Sequence, residues 1–324
     1  MGAKCAGTAD PPCCNNEQAD ELTEFNGGVD ELAQGWNNPT KLQVMSMFDD
    51  GYTNDSNKVT EEYEKDEAGA NNYDLNHDKS IKTYFDKEYN ELADSTILDP
   101  DLQEERPKYT FSTGANYEGQ WKGNHRHGFG CQRWPDGASY SGQWRADQAY
   151  GHGIFKYKSG TSSYVGQWNH NMAHGKGISY HPDRVYAGEW VDDYQTGFGM
   201  EMWVSDGARF EGEFKNGTKE GYGFYTWPDG STHAGDWSNG YMNGRGEFRS
   251  KDGMAVLGTW VDDRKNGMAF CTLKNKRTYK GQYVNDQKDG FGIFEWTDGT
   301  TQEAFWVKGQ PLKFKRKKKE SVNK

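Results

Sequence analysis

Residues 117–138 read YEGQWKGNHRHGFGCQRWPDGA, and the way this stretch recurs decides the fold. Its aromatic-x-Gly-x-aromatic core appears at Tyr117-Gly119-Trp121, Tyr140-Gly142-Trp144, Tyr164-Gly166-Trp168, Tyr186-Gly188-Trp190 and Phe210-Gly212-Phe214. It continues at His233-Gly235-Trp237, Val256-Gly258-Trp260 and Tyr279-Gly281-Tyr283. Eleven residues after each first position stands a glycine, from Gly128 to Gly290, and in seven of the eight units another glycine follows two residues later; Ala269 is the exception. Starts lie 22 to 24 residues apart. A fixed period of this length signals a repeat architecture.

The period-2 pattern puts Tyr117, Gly119 and Trp121 on one strand face and Glu118, Gln120 and Lys122 on the other. A turn is expected at Lys122-Gly123-Asn124, with His125-Arg126-His127 in it and the second strand running from Gly128. Gly128, Gly130 and Trp134 would then share a face. Asp-Gly at 136–137, 206–207, 229–230, 252–253 and 298–299 closes five of the eight units with a tight turn. Aromatic rings and glycines fall on one face, so a ring can lie flat over bare backbone. Glycine weakens a strand in isolation, and the packed rings must compensate at roughly 1.5–3 kcal/mol per large side chain buried. A lone hairpin is marginal, so stability is summed over neighbours.

These residues resemble the MORN (membrane occupation and recognition nexus) repeat, YxGxWxxGxxHGxG followed by an aromatic and Asp-Gly. The resemblance runs over about 109–309 and ends in a half-unit at Ala304-Phe305-Trp306. It implies an all-β, elongated, single-layer array of about eight β-hairpins over 109–310. Sixteen strands at about 4.8 Å each would extend on the order of 75 Å. Val256, Ala269 and Asn275-Lys276 depart from the pattern, and the seventh unit is expected to be looser or to face a partner.

Composition agrees: 33% hydrophobic residues, 15% aromatics and 41 glycines among 324 residues suit a thin sheet rather than a large core. No apolar run approaches a membrane span. Five scattered cysteines point to neither a disulfide framework nor a zinc site. The net charge of −11 hides an asymmetry. Residues 1–108 carry 25 acidic and 9 basic groups, giving −16, while 311–324 carry +6.

Residues 1–16 read as a leader in which Met1-Gly2 and Cys5 resemble a myristoylation start beside a palmitoylation site, although Ala6 stands where Ser or Thr is usual. Residues 17–108 read as an acidic, largely disordered extension with short helices. The best helix lies near 80–93, where Ile81, Tyr84, Phe85, Tyr89 and Leu92 recur at helical spacing, and it is expected to dock on the sheet. Asp74 to Asp78 imitates a calcium loop but has Lys79 and Phe85 at positions needing Gly and Glu, so it reads as a solvated loop. The basic tail over 311–324 carries Lys313, Lys315, Arg316, Lys317, Lys318 and Lys319, a set suited to anionic lipid or an acidic partner. Nucleic acid is a less favoured partner.

No catalytic residues, cofactor or metal site is expected. The histidines lack an oriented nucleophile or carboxylate set, and the paired glycines lack the strand-GxGxxG-helix context of a nucleotide site. The resemblance implies a non-enzymatic cytoplasmic scaffold, peripheral at a membrane and held by its ends. The array would present a protein- or phospholipid-binding surface, with homodimerisation open. Its repeat aromatic face (Tyr117, Trp121, Tyr140, Trp144, Tyr164, Trp168, Tyr186, Trp190) would carry the packing, and the tail would meet anionic lipid or an acidic partner. The alternatives are a component of a cilium or cortical cytoskeleton without lipid contact, or a regulatory subunit of an enzyme.

Overall fold

The computed structural model describes residues 80–86, 88, 91–92 and 102–317, with no side-chain detail at Ser80, Lys82 and 313–317. The acylation-like start, the acidic stretch to Lys79 and Lys318-Lys319 lie outside the described residues. Among the described residues a short helix, α1 (Ser80–Asp86), precedes nineteen strands. In the first unit these are β1 (Gln103–Thr110), β2 (Asn116–Lys122), β3 (His125–Arg133), β4 (Ser139–Arg145), β5 (Gln148–Lys156), β6 (Ser163–Asn169), β7 (Met172–Tyr180) and β8 (Arg184–Val191). β9 (Tyr194–Trp203) carries the boundary between two units, at Gly197/Phe198. The second unit holds β10 (Arg209–Lys215), β11 (Thr218–Thr226), β12 (Thr232–Ser238), β13 (Tyr241–Arg249) and β14 (Ala255–Val261). It continues with β15 (Arg264–Thr272), β16 (Thr278–Val284), β17 (Gln287–Glu295), β18 (Thr301–Val307) and β19 (Gln310–Lys317). Within each unit consecutive strands pair antiparallel, in the registers β1 with β2 through β7 with β8 and β10 with β11 through β18 with β19.

The expected sixteen strands are therefore nineteen. A strand at Gln103–Thr110 precedes the first repeat, and the half-unit at Ala304 is a full hairpin whose partner strand takes in the start of the basic tail.

The facing expected for the first strand of each repeat is present: β2 alternates half-buried and buried, with Tyr117, Gly119 and Trp121 inward. The second strand differs. It begins at His125, not Gly128, and the His125-Arg126-His127 stretch belongs to it rather than to the turn. Gly119 pairs with Gly130 but Trp121 pairs with Arg126, so four residues of β3 span what two of β2 span. This bulge recurs in later hairpins, for instance at Gly142/Trp144 and Gly166/Trp168. Gly128 sits in it at φ +64°, a left-handed conformation costly to other residues. The Gln120 side chain occupies the space beside it and its Oε1 accepts from Phe129 N–H at 2.9 Å. Gln143 with His152 N–H and Gln167 with Lys176 N–H repeat that bond at 2.8 Å. The outward glutamine thus stitches the bulge.

The other two glycines of the unit serve the rings. A Cβ on Gly166 would lie 2.5 Å from the Gly177 Cα, and one on Gly177 would lie 2.6 Å from the Tyr164 ring. Two backbones therefore meet closely, with a tyrosine laid across them. The hydroxyl is satisfied locally: Tyr117, Tyr140 and Tyr164 donate to the carbonyls of Gln120, Gln143 and Gln167, each at 2.9 Å. Each tryptophan reaches back one repeat. Trp144, Trp168 and Trp190 Nε1–H donate to the carbonyls of Gly130, Gly153 and Gly177 at 3.0–3.1 Å. The rings pack edge to face within a repeat (Tyr164–Trp168, 5.1 Å) and into the next (Tyr164–Trp190, 5.2 Å), worth about 0.5–1.5 kcal/mol per pair beyond area burial.

The hairpin turns are stitched as well. Asp147, Asn171 and Asp193 carboxyl or amide oxygens accept from Arg126, Ala149 and Ala173 N–H at 2.6–2.7 Å. The seventh unit keeps the register of the others. Gly258 pairs with Ala269, and Val256, too short to cover that position, leaves room for the alanine methyl. Lys276 takes the positive φ that Gly137, Gly160, Gly207, Gly230, Gly253 and Gly299 supply in other closing turns.

Replacing Trp168 by Ala is predicted to cost about 3–5 kcal/mol. Gln167→Ala, which loses one bulge hydrogen bond, should cost about 1 kcal/mol, and Gly166→Val should be at least as damaging as the tryptophan change. Thermal or urea melts of the three variants check the order; a Gln167 cost equal to that of Trp168 contradicts the facing.

Candidate interaction site

The aromatic face of the first unit is occupied. α1 presents Ile81, Tyr84 and Phe85 at i, i+3 and i+4, all buried, while Thr83 and Asp86 face solvent. This is the amphipathic stripe expected for 80–93. The Phe85 ring lies 5.3 Å from both Trp134 and Tyr140, 5.7 Å from Trp144 and 6.0 Å from Trp168, so one side chain spans three repeats. Tyr84 packs on Trp134 and Phe155, and its hydroxyl donates to Asp136 Oδ2 at 2.6 Å. Burial, helped by the Asp136 carboxylate, pushes the Tyr84 hydroxyl up to about 12.

Carboxylates after the helix complete the seat. Glu88 is fully buried, accepting from Thr113 Oγ1 at 2.9 Å and from Trp134 Nε1 at 3.4 Å. Burial raises its pKa, against the opposing pull of those bonds and of Arg126. Glu91 accepts from the Ser112 N–H and hydroxyl at 2.9 and 2.5 Å, and these bonds lower its pKa. Arg126 is the buried cation of the region: its guanidinium bonds to Asp147 and Gln132 and lies 4.4 Å over the Trp144 ring. Ala149 and Ala173 hold the equivalent place in the next two repeats. This Arg126–Asp147–Glu88 cluster was not legible in the sequence, because it joins residues up to 59 positions apart through a helix whose docking position no motif fixes.

The eight aromatic residues of the repeat face, Tyr117, Trp121, Tyr140, Trp144, Tyr164, Trp168, Tyr186 and Trp190, are each at most 5% exposed. They are core. Gly2 and Cys5 lie outside the described residues. Of the basic tail, Lys313, Lys315, Arg316 and Lys317 stand on β19, paired with Phe305, Glu303, Gln302 and Thr301. Two free cysteines, Cys131 and Cys271, are buried, and no His/Cys/Asp/Glu group suited to a metal occurs among the described residues.

Comparison with known families agrees with this geometry. The MORN repeat matches eight segments: 117–139, 140–162, 164–184, 186–207, 210–232, 233–255, 257–276 and 279–301. The chain belongs to the MORN-repeat family. Seven of the eight starts fall on the ring position of their repeat, and the seventh segment starts one residue after Val256, which holds that position there. No curated protein matches the chain. Among solved structures, similarity is found to the G-box domain of the microcephaly protein CPAP, at 12% identity, covering 66% of this chain and 98% of that one, with a TM-score of 0.28. A second is the SAS-4 (dCPAP) TCP domain of Drosophila melanogaster in complex with a proline-rich motif of Ana2 (dSTIL), at 8% identity, covering 62% and 90%, with a TM-score of 0.27. Neither likeness bears on function. No described helix is long and apolar enough to cross a membrane.

One MORN position is chemically unusual. His233 takes the tyrosine place of the sixth repeat, fully buried, 5.2 Å from Trp260, with neither ring nitrogen hydrogen-bonded. Burial drives its pKa from 6.5 down to about 3. The folded state therefore resists protonation that the unfolded chain accepts. Above pH 6.5 both states are neutral and nothing is lost; as pH falls from 6.5 toward 3, stability drains away. His233→Tyr restores the repeat residue and is predicted to remove this part of the acid sensitivity. Urea midpoints from pH 7 to pH 4 check it, and an unchanged slope in His233→Tyr contradicts it.

Proposed function

We propose that this MORN-repeat chain is a non-enzymatic scaffold that seats amphipathic protein segments on its sheet and is held at a membrane by its ends. The seating of α1 carries the reading. A stripe of Ile81, Tyr84 and Phe85, with Glu88 and Glu91 bonded to backbone, hydroxyl and indole donors, is held on the sheet of the first unit. This is helix-in-groove recognition in cis. A scaffold reading also suits the shifted groups, since Tyr140 and Tyr164 are raised by burial in the ring stack and belong to packing.

Membrane attachment rests on the chain's ends. Gly2 and Cys5 supply acylation positions, and the lysines from Lys313 to Lys319 supply attraction to anionic lipid at about 1 kcal/mol per cation near the surface. One myristoyl chain alone binds marginally, at about 10⁴ M⁻¹, so two signals are needed. Gly2→Ala, and separately Cys5→Ser, are predicted to move the full-length protein from the membrane to the soluble fraction, with intact mass reporting acylation of the native chain. An unmodified N-terminus together with unchanged retention in Gly2→Ala would favour the cytoskeletal alternative.

A further inference from the structure

The outward face of the second unit has a chemistry of its own. On β14 to β18 the side chains opposite the ring face are Leu257, Phe270, Lys280, Ile293 and Glu303 in one row, fixed by the pairings Leu257–Phe270, Phe270–Lys280, Lys280–Ile293 and Ile293–Glu303. A second row runs Met268, Gln282, then Phe291 paired with Phe305. Val261, Val284 and Val307 end three of these strands on the same face. Met268, Val284, Phe291 and Phe305 are 49–51% exposed, and Phe270 37%. The row of the first unit that corresponds to Leu257–Ile293 is buried at Cys131, Ile154 and Ile178. In β10 and β12 of the second unit the outward residues are Glu211, Glu213, Lys215, Ala234, Asp236 and Ser238. The apolar patch thus belongs to the last strands of the array.

Four strand spacings and four residue steps give it about 19 Å by about 13 Å. That footprint falls well below the ~800 Å² per partner of a stable dimer, so a second copy is a poor occupant. It matches one helix of about thirteen residues. Charge narrows the choice. Lys280 stands exposed between Phe270 and Ile293, Lys308 follows Val307, and the register brings Lys313 beside Phe305 and Lys315 beside Glu303. Asp262, Asp263 and Asp286 rim the turns next to Val261 and Val284, and the rings lie mid-strand rather than on loop tips. Those carboxylates disfavour an anionic bilayer lying flat on this face, whereas a helix between the lysines avoids them.

We propose that the outward face of β14–β18 is a docking surface for a short amphipathic helix of a partner protein, apolar on one side and flanked by carboxylates. It rests on the scaffold reading in taking a protein as partner, and it is separate from the seat of α1. The chemistry resembles that of α1, but the anchors are reversed: the sheet supplies the exposed rings and cations.

The test uses the full-length chain and a fluorescent helical peptide of about thirteen residues with Leu and Phe on one face and Glu flanks, beside a twin with Lys flanks. The Glu peptide should bind more tightly than the Lys twin, and salt should weaken it. Phe291→Ser with Phe305→Ser should weaken binding by on the order of tenfold or more with the melting temperature kept, and Lys280→Glu should weaken it without touching the rings. Equal binding of the two peptides, binding indifferent to the Phe291/Phe305 change, or no binding would overturn the proposal. So would loss, in the same double variant, of binding to phosphatidylserine vesicles or of a homodimer seen by sedimentation. Membrane release of Gly2→Ala is read independently, so the attachment reading can stand while this one falls.

Discussion

The contact on which the structure depends is a tyrosine ring lying across two glycines of adjacent strands. Tyr164 over Gly166 and Gly177 is the clearest case, and it recurs with Tyr140 over Gly142 and Gly153 and with Tyr279 over Gly281 and Gly292. The glycines bring the two backbones together, which in an ordinary sheet would forfeit packing. Here the ring covers the bare ladder, its hydroxyl caps a carbonyl of the same strand, and a tryptophan of the next repeat closes over its edge. Each repeat is incomplete until its neighbour arrives, which is why stability is held between repeats rather than within them.

From this contact the division of labour between faces follows. The ring face is consumed by packing, and what remains of it in the first unit is sealed by α1. Outward positions are free to vary, provided the glutamine or its equivalent holds the bulge; Asp236 and Glu213 do so in the second unit, accepting from Arg245 and Tyr222 N–H. Variation there turns a common scaffold into surfaces of different chemistry, polar in β10 and β12 and apolar in β14–β18.

Much of the fold was legible because the repeat writes it eight times. Period, strand facing, closing turns and the docked stripe of α1 all come from spacing. The bulge did not, since a period-2 reading assumes an unbroken ladder and so starts the second strand at Gly128 instead of His125. The first glycine was misread for the same reason: it serves a left-handed bulge beside a glutamine, not a ring. β1 and β19 carry no repeat signature because an edge hairpin needs only a partner's ladder and lacks the next repeat's rings. The electrostatic pull of Arg126 on Glu88 depends on tertiary docking, which no local pattern encodes.

The seventh repeat supplies the measurement that bears most directly on the ring-over-glycine contact. There Val256 replaces the tyrosine and Ala269 the glycine, in an unaltered register. Transplanting that pair into the third repeat gives a double-mutant cycle of Tyr164→Val, Gly177→Ala and both together, read as unfolding free energies. Gly177→Ala alone drives a methyl into the Tyr164 ring and should be costly, whereas in the Tyr164→Val background it should cost little or stabilise. A coupling energy of about 1–3 kcal/mol in that direction is predicted; additive costs, within about 0.5 kcal/mol, would mean that ring and glycine do not meet as described.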